Sequence, residues 1–204
     1  MYSFQIVMDT EAPESFAEHA LPWVLEAGNP YFDALFGSPE VARQSIDSWL
    51  RRPTSEVAVW RTFFLMFDDA FVGGFIAMNG GDLKKARRGD SLALMRSVSG
   101  EFREQLMQRL ENLAGLFPSV GEDEFYLSKV GLAPEFRGKG LGRMLVQRYI
   151  EEGARRGHAK FRLDVCAGNE AAIGCYLSSG FVISEQSASR DGAMQYLSMA
   201  YSKT

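Results

Sequence analysis

The stretch Pro134-Glu135-Phe136-Arg137-Gly138-Lys139-Gly140-Leu141-Gly142 decides the fold. It lies between a strand-like run, Phe125 to Leu132, and a helical run, Gly140 to Arg156. In the helical run Leu141, Met144, Leu145 and Tyr149 share one face. Three glycines in five positions let backbone N–H groups approach a ligand with no Cβ in the way. The helix adds its own unpaired N–H groups and the positive end of its dipole. Such a turn is an anion cradle suited to a pyrophosphate. One charge at a helix end is worth only about 0.3–1 kcal/mol, so several amides must act together. Arg137, Lys139 and Arg143 add positive charge beside them. Other phosphate motifs fail on spacing. Gly142 is followed by Arg143-Met144, not the Lys-Ser/Thr of a P-loop, and Arg143 or Leu145 stands where a dinucleotide fingerprint needs a small residue.

Outward from this turn, the pattern reads as a mixed α/β chain. Tyr2 to Met8 is a first strand and Thr10 to Asn29 is helical, with Pro22 expected to break or kink it. Ser38-Pro39-Glu40 starts a helix that runs to about Arg52. Glu56 to Phe67 and Phe71 to Asn79 are apolar runs joined as a hairpin. Residues 80–121 begin as a polar, basic loop, GGDLKKARRGD, and continue into one or two helices around Phe102, Leu106, Leu110 and Leu113. Phe161, Leu163 and Val165 alternate with Arg162 and Asp164 in a half-exposed strand, which makes Asp164 a surface residue. Asn169 to Ser179 is a short helix ended by Gly180. Phe181 to Glu185 and Met194 to Tyr201 pair through Asp191-Gly192. The order implies a single domain over residues 1–204, a mixed sheet with helices packed on it, and an 80–121 insertion within it.

Composition excludes other classes. The chain has 204 residues, 46% hydrophobic and 24% charged, which suits one soluble domain with its own core. It has two histidines, His19 and His158, and two cysteines, Cys166 and Cys175. No CxxC or HxxxH pair exists, so no metal is expected. Neither histidine lies in a nucleophile motif, and the cysteines read as small buried hydrophobes. A net charge of -4 argues against a nucleic-acid partner. No run of 18 apolar residues argues for a membrane span, and Met1 to Glu11 lacks the basic start and cleavage site of a signal peptide, so a cytoplasmic location is expected.

At Arg137-Gly138-Lys139-Gly140-Leu141-Gly142 the chain resembles the GNAT superfamily of N-acetyltransferases, whose acyl-CoA signature is [QR]-x-x-G-x-[GA]. Asn169, Ala172, Tyr176 and Gly180-Phe181 match the family's second block, N-x-x-A-x-x-x-Y-x-x-x-G-F. The two blocks span Phe125 to Ser184. The resemblance implies a mostly antiparallel sheet splayed between its fourth and fifth strands, with helices on both faces. It implies acetyl-CoA as cosubstrate and an amine acceptor as the other partner, and leaves a homodimer open. The main chain of Val130, Leu132 and Ala133 would line the pantetheine arm, and the amides of Arg137 through Gly142 would hold the pyrophosphate, with Arg143 beside them. Asn169 would hydrogen-bond the pantetheine, Ala172 would lie along it, and Tyr176 would sit by the thioester sulfur as acid. Tyr176 as a packed core aromatic is the other reading.

The general base is where the sequence departs from the family. Many members carry Glu on the fourth strand where this chain has Ser128. Glu122, Asp123 and Glu124 precede that strand. They read as a solvated acidic turn; in the other reading they reach the site through water, with Glu124 as the base, and Ser128 is the group at the family's position. Two functions follow: an N-acetyltransferase acting on a small molecule or peptide amine by direct attack in a ternary complex, or an acyl-CoA-binding regulatory module without turnover.

Overall fold

A computed structural model of the chain describes residues 2–6, 14–68 and 70–202. The elements are β1 (Tyr2–Ile6), α1 (Glu14–Gly28), α2 (Tyr31–Phe36), α3 (Pro39–Leu50), β2 (Thr62–Phe67), β3 (Ala70–Asn79), α4 (Gly80–Ser97), α5 (Gly100–Asn112), β4 (Glu124–Leu132), α6 (Leu141–Arg155), β5 (Lys160–Cys166), α7 (Glu170–Ser178), β6 (Val182–Ala188) and β7 (Gln195–Ser202). The strands make one sheet in the order β1-β2-β3-β4-β5-β7-β6. Every neighbouring pair is antiparallel except β4 with β5. Helices α1 to α5 bury their apolar residues against one face, and α6 and α7 pack on the other. The mixed, mostly antiparallel sheet with helices on both faces is the architecture the sequence implied.

The parallel pair is short. It runs from Glu124↔Lys160 to Leu127↔Leu163 and stops, while β5 stays paired with β7 as far as Cys166. Tyr149 of α6 sits under the closed end. Its hydroxyl donates to Phe125 O and lies 3.2 Å from Arg162 O, so one buried side chain ties β4 to β5. Beyond Leu127, β4 carries a bulge: Ala77 faces Leu127 but Ile76 faces Lys129, leaving Ser128 as the extra residue. Tyr126 belongs to the core under α1 to α5, and Leu127 and Val130 to the core under α6. The bulge turns both Ser128 and Lys129 toward the α1-to-α5 side, where they line one cavity.

Several elements differ from the sequence reading, each for a local reason. Pro22 does not break α1. A proline inside a helix costs about 3 kcal/mol, and burial of Ala17, Ala20, Leu21, Trp23 and Val24 offsets it. Residues 7–13, which include the expected end of the first strand and the start of the first helix, lie outside the described residues. A short helix, α2, forms after Pro30 and ends at Gly37, whose φ of 66° lets its N–H reach Asp33 O at 2.8 Å. Glu56 to Arg61 is not strand: 3-10 turns fill it and β2 begins at Thr62. The basic segment after Gly80 is helical from its first residue, because Asn79 Oδ1 accepts the Asp82 N–H at 2.8 Å. Gly80 itself lies so close to the end of the insertion that a Cβ there would stand 2.1 Å from Gly121 O.

Helix α6 carries the glycine-rich turn at its start and must seat closely on β4 and β5. Gly153 makes this contact, since a Cβ there would lie 2.4 Å from Phe161 Cε1 and 2.6 Å from Phe125 Cδ1. Replacement of Gly153 by Val should destabilise the fold by about 1–3 kcal/mol. A fall in the urea midpoint measures this, and an unchanged midpoint would show that α6 seats otherwise.

Candidate active site

Where β4 and β5 part, a cleft of about 130 Å³ opens, lined by Val130, Val165, Cys166, Asn169, Ala172 and Tyr176 among others. Main-chain direction alternates along a strand. Ala133 N–H points to β3 and bonds Val72 O at 2.8 Å, so the N–H groups of Val130 and Leu132 face the gap. Leu132 O, on the same side, accepts both Nε and an Nη of Arg137 at 3.0 Å. Ala133 differs from expectation. Its N–H bonds Val72 and its carbonyl accepts from Phe136 N at 3.0 Å, so neither is free for a ligand.

The turn at the mouth of this cleft has the geometry of an anion site. Gly138 and Gly140 have φ of 72° and 77°, a left-handed backbone that selects glycine. Helix α6 starts at Leu141, with Gly140 as an N-cap that has no side chain to bond the first turn. The N–H groups of Leu141, Gly142 and Arg143 therefore lack intrahelical acceptors. The first helical bond is Met144 N to Gly140 O at 3.4 Å. Of the three cations, Arg137 is held by Leu132 O and the Glu26 carboxylate, and Lys139 lies over the Phe136 ring at 5.4 Å. Arg143 makes no hydrogen bond or ion pair among the described residues. Free amides, a free guanidinium and an unpaired strand edge fit the diphosphate and the amide-bearing arm of coenzyme A.

Helix α7 supplies the other wall. Asn169 caps it, its Oδ1 accepting Ala172 N–H at 3.1 Å. One function of Asn169 is thus local, while its amide nitrogen has no hydrogen-bond partner among the described residues. Tyr176 is buried against Phe181, with ring centroids 6.2 Å apart. Its hydroxyl has no hydrogen-bond partner among the described residues. Burial, with Cys175 beside it, pushes the phenol above its usual range, so it stays protonated and able to donate.

A second cavity, about 280 Å³, lies on the α1-to-α5 side of β4. Its walls carry Tyr31, Phe32, Trp49, Leu94, Phe117 and Tyr196, and its polar floor carries Glu56, Arg87, Tyr126, Ser128, Lys129 and Asp164. Glu56 Oε2 accepts Arg87 Nε at 3.0 Å, and Oε1 accepts Ser128 Oγ at 2.6 Å. Arg87 also donates to the Tyr126 hydroxyl at 3.1 Å, which donates to Asp164 at 2.9 Å. Ser198 Oγ donates to the other Asp164 oxygen. One turn along α4, Asp90 accepts Glu56 N–H at 2.9 Å and Ser55 Oγ at 3.1 Å. Helix α4 therefore grips Glu56 twice, through its main chain and through its carboxylate. Burial works against the charge on Glu56, but Arg87, Lys129 and the Ser128 hydroxyl outweigh it and hold the carboxyl at about 2. Burial pushes the Lys129 amine below its ordinary value.

Ser128 lines both cavities, as do Lys129 and Asp164. Glu124 does not reach them. It stands at the opposite end of β4, pairs with Lys160 in the ladder and accepts Gly121 N–H at 2.6 Å. Asp164 is not a surface residue, because the splay of β4 from β5 turns its carboxylate onto the cavity floor. His19 stacks on Phe71 and His158 on Phe125, away from both cavities. Glu56, Arg87 and Asp90 went unread in the sequence. The signal for two of them was helical spacing in residues 80–97, where Arg87 and Asp90 fall on the stripe of Leu83, Ala86 and Leu94. Among the described residues no three His, Cys, Asp or Glu side chains converge to hold a metal ion, and no helix is long and apolar enough to cross a membrane.

Residues 38–181 match the family model described as the acetyltransferase (GNAT) family, and the chain belongs to that family. Curated relatives include the [ribosomal protein bS18]-alanine N-acetyltransferase of Escherichia coli K12, 39% identical over 77 residues, 38% of this chain and 52% of the relative. The enzyme of that name from Salmonella typhimurium is 44% identical over 59 residues, 29% of this chain and 40% of its own. The chain thus spans about half the length of the curated relatives it matches. Among solved structures, an N-acetyltransferase from Staphylococcus aureus Mu50 aligns over 98% of this chain and 100% of its own, with TM-score 0.68 and 16% identity. The ribosomal-protein-S18-alanine N-acetyltransferase of Escherichia coli aligns over 99% and 94%, with TM-score 0.53 and 19% identity. At those identities the likeness is one of fold.

The Glu56 carboxyl binds its proton more weakly in the folded chain than at its ordinary 4.5. The unfolded chain therefore takes up more protons as pH falls. Its contribution to stability is full above pH 4.5 and should be lost toward pH 2. In Glu56→Gln this part of the acid-induced fall in unfolding free energy should vanish, and an unchanged profile would remove Glu56 from the charged network.

Proposed function

We propose that this chain transfers the acetyl group of acetyl-CoA to a primary amine of a small molecule or peptide, by direct attack in a ternary complex. The observation that carries this reading is the meeting of two cavities at Ser128, Lys129 and Asp164. One has the free amides that suit coenzyme A, and the other has room for an acceptor. Family membership and the bS18-alanine N-acetyltransferases, named for an amine acceptor, support it.

When bound, acetyl-CoA supplies an activated thioester. The acceptor nitrogen bonds to the acetyl carbon, the carbon–sulfur bond breaks, and a proton must reach sulfur. The N–H groups of Val130 and Leu132 that face the gap are placed to polarise the acetyl oxygen. Tyr176, buried, protonated and with its hydroxyl unengaged, is the donor to sulfur. An amine like lysine needs about 4.6 kcal/mol to be neutral at pH 7, but an α-amine only about 1 kcal/mol. An α-amine therefore demands little of a base. Glu56, held at about 2 and accepting three hydrogen bonds, anchors Ser128 and does not serve as that base.

Thiol release from acetyl-CoA over a panel of amines, amino acids and peptide N-termini tests this reading. Turnover is expected with at least one class. Binding of CoA with no thiol release would favour a regulatory module instead. Tyr176→Phe should lower kcat by about a hundredfold with the KM for acetyl-CoA little changed, and full turnover would remove Tyr176 as the acid. Gly140→Val, at a left-handed φ, should weaken CoA binding by at least about tenfold, read by calorimetry.

A further inference from the structure

The charges on the floor of the acceptor cavity balance, but they are not all in direct pairs. Arg87 is paired with Glu56, and Asp90 with Arg52. Two ions remain, Lys129 and Asp164: Glu56 and Asp164 act on Lys129 through space, but among the described residues neither Lys129 nor Asp164 has an opposite charge at ion-pair distance. Lys129 Nζ donates to a single acceptor, the neighbouring Ser128 O at 3.0 Å, and lies 5.4 Å from the Phe32 ring centroid. Two of its three N–H donors are uncommitted. The Asp164 carboxylate accepts only neutral donors, the hydroxyls of Tyr126 and Ser198. Both residues line the acceptor cavity and the cleft beside the β4 edge. A cation and an anion, each without a direct ion pair, thus stand where the two cavities meet.

A largely buried ion without a partner is costly unless a ligand completes it. The complement of this pair is a molecule with an ammonium and a carboxylate close together. Beyond the charged floor the cavity is aromatic and apolar, walled by Tyr31, Phe32, Trp49, Leu94, Phe117 and Tyr196. Its volume of about 280 Å³ falls just under the roughly 300 Å³ at which ligand pockets usually start, so it suits only a small acceptor. Helices α4 and α5 contribute Leu94 and Leu110 to the wall facing β4.

We propose that the acceptor is a free α-amino acid with an apolar or aromatic side chain. Its carboxylate pairs with Lys129, its amine lies by Asp164, and its side chain enters the aromatic cavity. This rests on the transferase reading above and narrows its acceptor. Starting as an ammonium, the amine gives up two protons: one leaves to water past Asp164 and one ends on sulfur as the nitrogen–carbon bond replaces the carbon–sulfur bond. A peptide N-terminus has an amide where the amino acid has its carboxylate, so it leaves Lys129 unmatched.

The test is thiol release by the full chain with acetyl-CoA and matched acceptors: L-leucine, L-methionine, L-phenylalanine and L-tyrosine, their carboxamides, and tetrapeptides beginning with each. The best free amino acid should exceed its own carboxamide at least about tenfold in kcat/KM. Lys129→Gln should shrink that ratio to about twofold or less, with the acceptor KM of the free acid rising more than that of its carboxamide. A role of Lys129 in packing alone would lower acid and amide together and overturns the proposal. Acetylation of carboxamides or peptides as well as or better than of the free acids also overturns it, while the transferase reading stands. No thiol release with any acceptor, CoA still binding, overturns both.

Discussion

The parallel pairing of β4 with β5 ends at Leu127 and Leu163, and the rest of the site depends on that ending. A strand edge inside a sheet normally has its N–H and C=O groups matched by a neighbour. Here the pairing is fastened at one end by the Tyr149 hydroxyl on the carbonyl of Phe125 and released at the other by the bulge at Ser128. The released stretch offers amides to whatever fills the gap. Because β5 remains bonded to β7 along its length, the gap is a stable feature of the sheet rather than a frayed end.

The same bulge joins the two cavities. Without the extra residue, successive side chains of β4 would alternate between the two faces. With it, Ser128 and Lys129 face the same way, and a hydroxyl and an amine stand together on one floor. The hydroxyl is held by Glu56, a residue from the irregular segment before β2, which is itself fixed by Arg87 and Asp90 of α4. A carboxylate that occupies the neighbourhood of Ser128 is thus delivered from elsewhere in the chain and kept ionised by a guanidinium.

The legibility of this molecule in its sequence divides along the same line. The glycine-rich turn, Asn169 and Tyr176 fall in two short blocks, each within one turn-and-helix unit, so the resemblance to the family finds them in the sequence. The resemblance implies the splay as well. Glu56 and Arg87 are 31 residues apart and meet only in three dimensions. Glu56 lies beside an apolar run and passes for the start of a strand, and Arg87 lies among other cations and passes for a solvated loop. Asp164 alternates outward by strand period, yet outward here means into the gap that the splay creates. Periodicity gives the face of the sheet, and the packing of neighbouring elements decides whether that face meets water.

The contact of Gly80 with Gly121 has a wider consequence. The segment carrying α4 and α5 leaves the sheet and returns to it at adjacent points, so its ends are fixed by close backbone approach and not by its own length. The segment is closed at its neck and packs its inner face on the sheet. Its far end and outer face can change in length and surface at little closure cost, whereas its inner face is tied to the sheet side by Arg87, Asp90 and the buried Leu83, Ala86 and Leu94. The side of the segment turned away from the sheet is therefore free to vary, while Arg87 and Asp90 on its inner side hold Glu56, and through it Ser128, where the two cavities meet.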